Sequence, residues 1–327
     1  MRTGRDDREE RGRVRASRWA AASLTLLTVL GHTVLGFEQS WAAPVAGVLA
    51  GVTAALALEA VDAWAWRRPV RYLGVPRDRV ADFLLPPYVR GLLCAMLLYG
   101  TGHPAPVVPA VLIAVASGYV PRVRAPRTPG DGPGRPVLNP VATGVAAVLL
   151  LLPQAAPAPP HQFTAWVSGP FDLLVPLAVL AAGAVHAGLA GRLPLLLGWT
   201  GGFLAQAVVR GWLTDVSAVA ALLPMTGTAF ALYAGYVIAD PATSPVRARP
   251  QAWFGLATAA VYGLLVQSHV VFGSFLAPVV VCAGWVLGPV LLARLGPAVL
   301  PSPGGRVSRS PGRPAREPAA TPPGGPP

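Results

Sequence analysis

Lysine is absent. All 26 basic residues are arginine, set against 14 acids, and charged residues make up only 12% of the 327-residue chain. A soluble globular domain carries about 25% charged residues, so this composition argues against an ordinary water-soluble enzyme. Cysteine is nearly absent too. Cys94 and Cys282 both lie in apolar runs and form neither a CxxC nor a metal-ligand spacing. They read as buried thiols acting as small hydrophobes.

Apolar sequence fills the gap. Hydrophobic residues reach 53% and the mean hydropathy is +0.52. The 36 glycines and 37 prolines are spread among apolar runs rather than gathered into a repeat. These features describe an all-α polytopic membrane protein. A spanning helix needs about 20 mostly apolar residues, and ten candidates occur: 19–37, 42–65, 82–100, 105–121, 139–153, 171–190, 193–210, 216–239, 251–270 and 272–294. The third contains Pro86-Pro87 and Arg90 and the fifth is short, so broken or partial helices are expected at both. Ahead of them, residues 1–18 form an Arg-rich cytoplasmic tail, read as preceding a retained span rather than a cleaved signal. Residues 19–295 form the membrane domain, and 296–327 a Pro/Gly/Arg-rich cytoplasmic tail expected to be disordered.

A net charge of +12 and a pI near 11.0 would suit a nucleic-acid partner if the charge gathered on one soluble face. Its distribution says otherwise. With the N-terminus inside, 25 of the 26 arginines fall in cytoplasmic segments or at the inner end of a span, and only Arg210 falls outside. Cytoplasmic loops concentrate arginine in this way. The expectation is a multi-pass protein of the cell membrane with both termini cytoplasmic, whose surroundings are the lipid bilayer and no nucleic acid.

Few polar groups interrupt the spans. Asn139-Pro140 opens the fifth, where proline suits the first helical position and asparagine the cap before it. The exposed donors of such a helix start attract anionic groups. Asp240-Pro241 closes the eighth, 101 residues later, and Ala-Thr follows in both places, as Ala142-Thr143 and Ala242-Thr243. The echo points to two inverted five-helix repeats, an arrangement that places sites at broken helices between the halves. Glu59 and Asp62 stand three apart near Arg67 and Arg68, which makes local pairing the expectation over a proton relay. His186 reads as packed or water-linked, since nothing at metal spacing accompanies it. Gly130-Asp131-Gly132-Pro133-Gly134 lacks the GK[ST] of a phosphate loop and reads as a linker. The nine tryptophans fall mostly near span ends, as an interfacial belt requires.

Three segments carry a family resemblance. Arg135-Pro136-Val137-Leu138-Asn139-Pro140, followed by Gly144, resembles the helix start of the RnfD/NqrB family, membrane subunits of ion-translocating electron-transport complexes. Met225-Thr226-Gly227-Thr228 through Ile238-Ala239-Asp240-Pro241 resembles that family's second signature, and Arg192-Leu193-Pro194 its sixth-to-seventh helix turn. The likeness covers roughly residues 80–295. The Asp-Pro-x-Thr-Ser-Pro version and the Arg-rich tails look closer to a divergent actinobacterial branch, which includes the UnbU-type membrane proteins of enediyne biosynthetic clusters.

The resemblance implies a non-autonomous subunit serving electron transfer or redox chemistry beside other membrane redox or biosynthetic subunits, with FMN or another flavin as cofactor. Classical members attach FMN to a threonine in S-G-A-T. Here Ser168-Gly169 is followed by Pro170-Phe171, so covalent attachment is not expected. Noncovalent flavin would have Asn139, Thr143, Thr226, Thr228, Asp240 and Thr243 as its liners by family position. A transporter or channel for a small solute on the same scaffold, or a membrane anchor for other enzymes, stays open beside it.

Overall fold

In the computed structural model the described residues are 4–100, 103–123, 135–213, 217–270 and 272–299. The glycine-rich stretch Gly130–Gly134 and the C-terminal tail from Leu300 lie outside them. The structure is mostly helical. Residues 1–290 form one compact unit and 291–327 a second, whose described part is helical to Val299.

Eleven α-helices are described: α1 (Gly4–Leu30), α2 (Ala42–Ala65), α3 (Arg77–Leu97), α4 (Val107–Ala116), α5 (Pro140–Leu151), α6 (Pro170–Leu189), α7 (Leu193–Leu213), α8 (Ala218–Leu222), α9 (Thr228–Leu232), α10 (Ala248–Gln267) and α11 (Gly273–Val299). Four of them, α2, α3, α6 and α11, are long and apolar enough to cross a membrane. The bent pair Val219–Thr226 and Thr228–Ile238 makes a fifth if it is counted as one span. Large apolar side chains such as Leu49, Leu197, Leu264 and Leu292 remain exposed. An outer surface of that kind suits lipid and not water.

Hydrogen bonds fix the helix directions. Arg18 meets Asp82 and Thr25 meets the Tyr88 hydroxyl, so α1 and α3 run parallel. Trp19 Nε1 donates to the Ala182 carbonyl at 2.9 Å, and Gly12 approaches the Leu189 carbonyl, so α6 lies antiparallel to α1. Small residues allow the closest packing, as they do between membrane helices, where side-chain burial adds little drive. A Cβ placed on Gly91 would lie 2.5 Å from the Gly47 carbonyl oxygen, and one on Gly47 would lie 2.6 Å from that of Gly91. The α2–α3 contact therefore requires glycine on both sides.

The structure differs from the sequence reading at several elements. The break expected at Pro86-Pro87 does not occur: α3 is continuous over Arg77–Leu97. Proline removes donors, but α2 packs flush against this turn, with Gly51 beside the Pro87 carbonyl, and such neighbours let membrane helices keep proline. The break lies instead in the expected eighth span, at Gly227, where the helix bends by 72°. The expected spans 105–121 and 139–153 contain helices of only 10 and 12 residues. At 1.5 Å per residue these cover roughly half of a ~30 Å hydrocarbon core. A two-residue pairing of Leu98–Tyr99 with Ala156–Pro157 closes the ends left by α3 and α5. α1 runs unbroken from Gly4 to Leu30, through the end of the expected tail and into the first expected span.

Near the C-terminal end of α2 the expected pairing forms, with Arg68 instead of Arg67 as its main cation. Arg68 holds Glu59 through both guanidinium nitrogens, at 2.5 and 3.1 Å, and also holds Asp62. The Arg71 backbone N–H adds a third donor to Glu59 at 3.2 Å. Glu59 is fully buried, so these partners are what make its charge tolerable. The hydrogen bonds to Glu59 push the Arg68 guanidinium above its already high ordinary pKa. Cys94 and Cys282 are both buried, as expected.

Candidate functional site

Two separate cavities flank the stretch Thr228–Ile238, which begins as α9 and continues as a π-helix over Tyr233–Ile238. A π-segment is rare and often marks a functional site.

The first cavity lies at the arginine-rich end. α5 starts there by the predicted mechanism: Asn139 Oδ1 accepts from the Ala142 N–H at 3.1 Å, with Pro140 as the first helical residue. The same side chain does a second job. Its Nδ2 donates to the Val237 carbonyl at 2.7 Å, joining the start of α5 to the end of the π-helix. π-Geometry shifts the usual i→i−4 pairing, and Asn139 supplies a donor to a carbonyl there. Two residues further on, Ala239 leads into Asp240, whose Oδ1 accepts from the Ala242 N–H at 2.9 Å and whose carbonyl accepts from Ser244 Oγ at 2.8 Å.

Arg192, at the turn into α7 and only 4% exposed, fastens this Asp240 turn. Its Nε donates to Ser244 Oγ at 2.7 Å and its Nη2 to the Pro241 carbonyl at 3.3 Å. His186 of α6 is buried beside it, stacked on Tyr236 at 5.1 Å between ring centres. Its Nδ1 lies 2.9 Å from the Gly235 carbonyl. A carbonyl only accepts, so Nδ1 carries the hydrogen and Nε2 is left as an acceptor. Arg13, Arg90, Asn139, His186, Tyr236 and Asp240 are among the residues that line the resulting space of about 240 Å³.

The second cavity, about 200 Å³, opens at the Gly227 bend. Six aromatic side chains from four elements enclose it: Trp199 and Phe203 of α7, Phe230 and Tyr233 of the bent stretch, Tyr262 of α10 and Phe275 of α11. Their contacts are mostly edge-on or tilted, as in Phe203–Phe230 at 4.9 Å and Trp199–Tyr233 at 5.3 Å, the arrangement aromatic quadrupoles favour. Leu97, Pro157 and Ala158 also contribute to the wall. Trp199 is 1% exposed and its indole N–H has no hydrogen-bond partner among the described residues. The Thr228 hydroxyl, at the first residue of α9, is equally buried and equally unpartnered.

The six expected liners therefore divide. Asn139 and Asp240 meet at the first cavity. Thr143 sits one turn into α5 with its hydroxyl on the Asn139 carbonyl at 2.6 Å, and Thr243 is buried in the turn after Asp240. Thr226 and Thr228 stand at the bend, about 15 Å of helix away, with the Thr226 hydroxyl turned back on the Leu223 carbonyl. Neither of these two cavities gathers all six.

Sequence reasoning missed the aromatic cavity altogether. It assigned the tryptophans to an interfacial belt, and eight of the nine are indeed exposed, from 37% to 85%. Trp199 is the exception. The signal was its spacing, since Trp199 and Phe203 share a helix face four residues apart.

The two cavities differ in their fit to a flavin. At the start of α6, where a threonine anchor would stand, Pro170 is the first helical residue. Thr164 is buried in the preceding loop. The aromatic cavity has the ring faces that a flat heterocycle uses, with room for a ring system alone. Among the described residues, no group of three or more His, Cys, Asp or Glu could hold a metal. In comparisons with known proteins, the chain matches no family model and no curated protein.

Proposed function

We propose that the chain is a ten-span integral protein of the cell membrane with an RnfD/NqrB-like scaffold and cytoplasmic termini, built from two inverted five-helix halves. It serves as the membrane subunit of a redox system, in electron transfer or in natural-product chemistry of the enediyne type. One observation carries this reading. The three segments on which the resemblance rests lie far apart in sequence, yet Asn139 bonds to Val237, and Arg192 bonds to Ser244 and Pro241. Independent short matches would have no reason to converge.

The aromatic cavity is the place for a noncovalent flavin ring or a comparable planar redox group, and such a group supplies one- or two-electron chemistry when bound. The chain's own part is binding and exclusion of water. Trp199 offers its N–H, the aromatic walls hold the ring plane, and burial sets a low-polarity surrounding that tunes a redox potential.

Absorbance of the full chain purified with its native membrane partners, followed by denaturation, tests this. The expected outcome is flavin released to the supernatant and none fluorescing in the protein band. No flavin in any preparation, partners included, overturns the redox reading. Reporter fusions at both termini test the orientation, and a periplasmic signal from either contradicts it.

A second reading, transport of a small solute, is favoured by the 72° bend with a cavity at each end of one helix. Solute flux into liposomes that is lost in Asp240→Ala would support it over the first.

A further inference from the structure

We propose that the cavity at the arginine-rich end is a binding site for a singly protonated phosphate group, either free or as a phosphomonoester. The inference is independent of the proposed flavin position, which is the other cavity.

Two arginines are among the residues that line this space, Arg13 from α1 and Arg90 from α3. Arg13 is exposed and stands at the mouth, whereas Arg90 is half-buried. Other arginines that reach into the fold are engaged: Arg18 with Asp82, Arg68 with Glu59 and Asp62, Arg122 with the Gly118 carbonyl, and Arg192 with Ser244. Arg13 and Arg90 have no hydrogen-bond or ion-pair partner among the described residues. Asp240 lines the same space, but it lies beyond salt-bridge distance of both and uses Oδ1 on the Ala242 N–H. Two arginines set against the one Asp240 carboxylate leave the lining with a net positive charge that invites an anion, and the positive end of the α5 dipole at Val141 adds to the attraction.

His186 narrows the choice of anion. It is 5% exposed, its Nδ1–H is committed to the Gly235 carbonyl, and its Nε2 makes no hydrogen bond among the described residues. That nitrogen is an acceptor in the neutral ring, so the complementary ligand presents an O–H beside its negative oxygens. Monohydrogen phosphate does so, as does a phosphomonoester carrying one proton. Sulfate and phosphodiesters do not. Arginine forks match phosphate oxygens in pairs. The volume of about 240 Å³ leaves room for the phosphate and a short organic substituent.

The test uses the full chain in phosphatidylcholine nanodiscs, titrated with inorganic phosphate or sulfate at equal ionic strength, with binding read by calorimetry and thermal shift. Saturable phosphate binding is expected, with sulfate about tenfold or more weaker, since one charge-assisted hydrogen bond is at stake. Arg90→Gln should weaken phosphate about tenfold or more. Arg90→Lys, which keeps the charge and loses the fork, should fall between. Arg67→Gln, on an exposed loop, should bind as the parent does.

Discs containing phosphatidic acid, a lipid phosphomonoester, separate the two sources. If they abolish the added effect of phosphate while phosphatidylglycerol discs do not, the lipid headgroup is the ligand. If the phosphate effect survives in them, the free form is. Equal response to phosphate and sulfate, an Arg90→Gln titration matching the parent, or no saturable response to phosphate or to phosphatidic acid overturns the proposal. The phosphate–sulfate comparison on the unaltered chain stands even if the Arg90 variants do not fold.

Discussion

Asn139 donates to the Val237 carbonyl at 2.7 Å from the same side chain that caps α5. One amide thereby ties together two helix ends that lie 98 residues apart in sequence, one in each half of the chain.

The two roles of Asn139 are separable. Asn139→Ser keeps a capping oxygen but cannot reach Val237, whereas Asn139→Ala loses both functions. A lost cap costs about 1 kcal/mol, and a buried carbonyl left without its donor costs about 1–3 kcal/mol. Asn139→Ala should therefore be the less stable of the two by about 1 kcal/mol in detergent unfolding curves. Equal midpoints would show that the cap contributes nothing.

The contact between α6 and the π-helix tolerates no side chain. A Cβ on Gly183 would lie 2.8 Å from the Gly235 Cα, and one on Gly235 would lie 2.5 Å from the Gly183 Cα. Gly183→Ala or Gly235→Ala should each destabilise by about 1–3 kcal/mol through overpacking. Size-exclusion profiles and unfolding midpoints check this, with Gly201→Ala, at an open position, as the silent control.

Thr228 carries a buried hydroxyl without a partner. Such a group costs about 1–3 kcal/mol, so Thr228→Val should raise the unfolding midpoint of the ligand-free chain. If the hydroxyl serves a bound group, the same variant should bind it less well. A lower midpoint in Thr228→Val would mean that the hydroxyl is satisfied.

The Arg68 cluster gives a pH prediction. A guanidinium raised above its unfolded value contributes stability that is fully present below that unfolded value and is lost only as pH climbs through the folded one. Both values lie far above neutrality. The midpoint difference between the parent and Arg68→Gln should stay constant from about pH 7 to pH 10. Its size should be about 3 kcal/mol, because Glu59 loses its main partner while remaining buried. Arg67→Gln should fall within about 0.5 kcal/mol of the parent. A difference that shrinks toward pH 10 would contradict the raised value.

Local chemistry was legible in the sequence where a single residue decides the outcome. Asn139 before Pro140 specifies a capped helix start, and the cap forms. The Glu59–Arg pairing follows from proximity alone, although the choice of Arg68 over Arg67 required the backbone of the turn, where Arg67 takes a positive φ of 49°. Features set by neighbours were not legible. Pro86-Pro87 reads as a break until α2 is seen packed against it. Gly227 reads as one more small residue in an apolar run, although the helix turns there. The aromatic cavity draws on four elements, and no local window contains it.

The interlock of Gly183 with Gly235 has a mechanical consequence. Two backbones in contact at their Cα atoms cannot slide or rotate past one another, so α6 and the π-helix would travel as a single strut in any rearrangement. Both cavities border that strut, one at each end. The compliant joint that remains is the bend at Gly227, and a crosslink bridging it would freeze both ends at once.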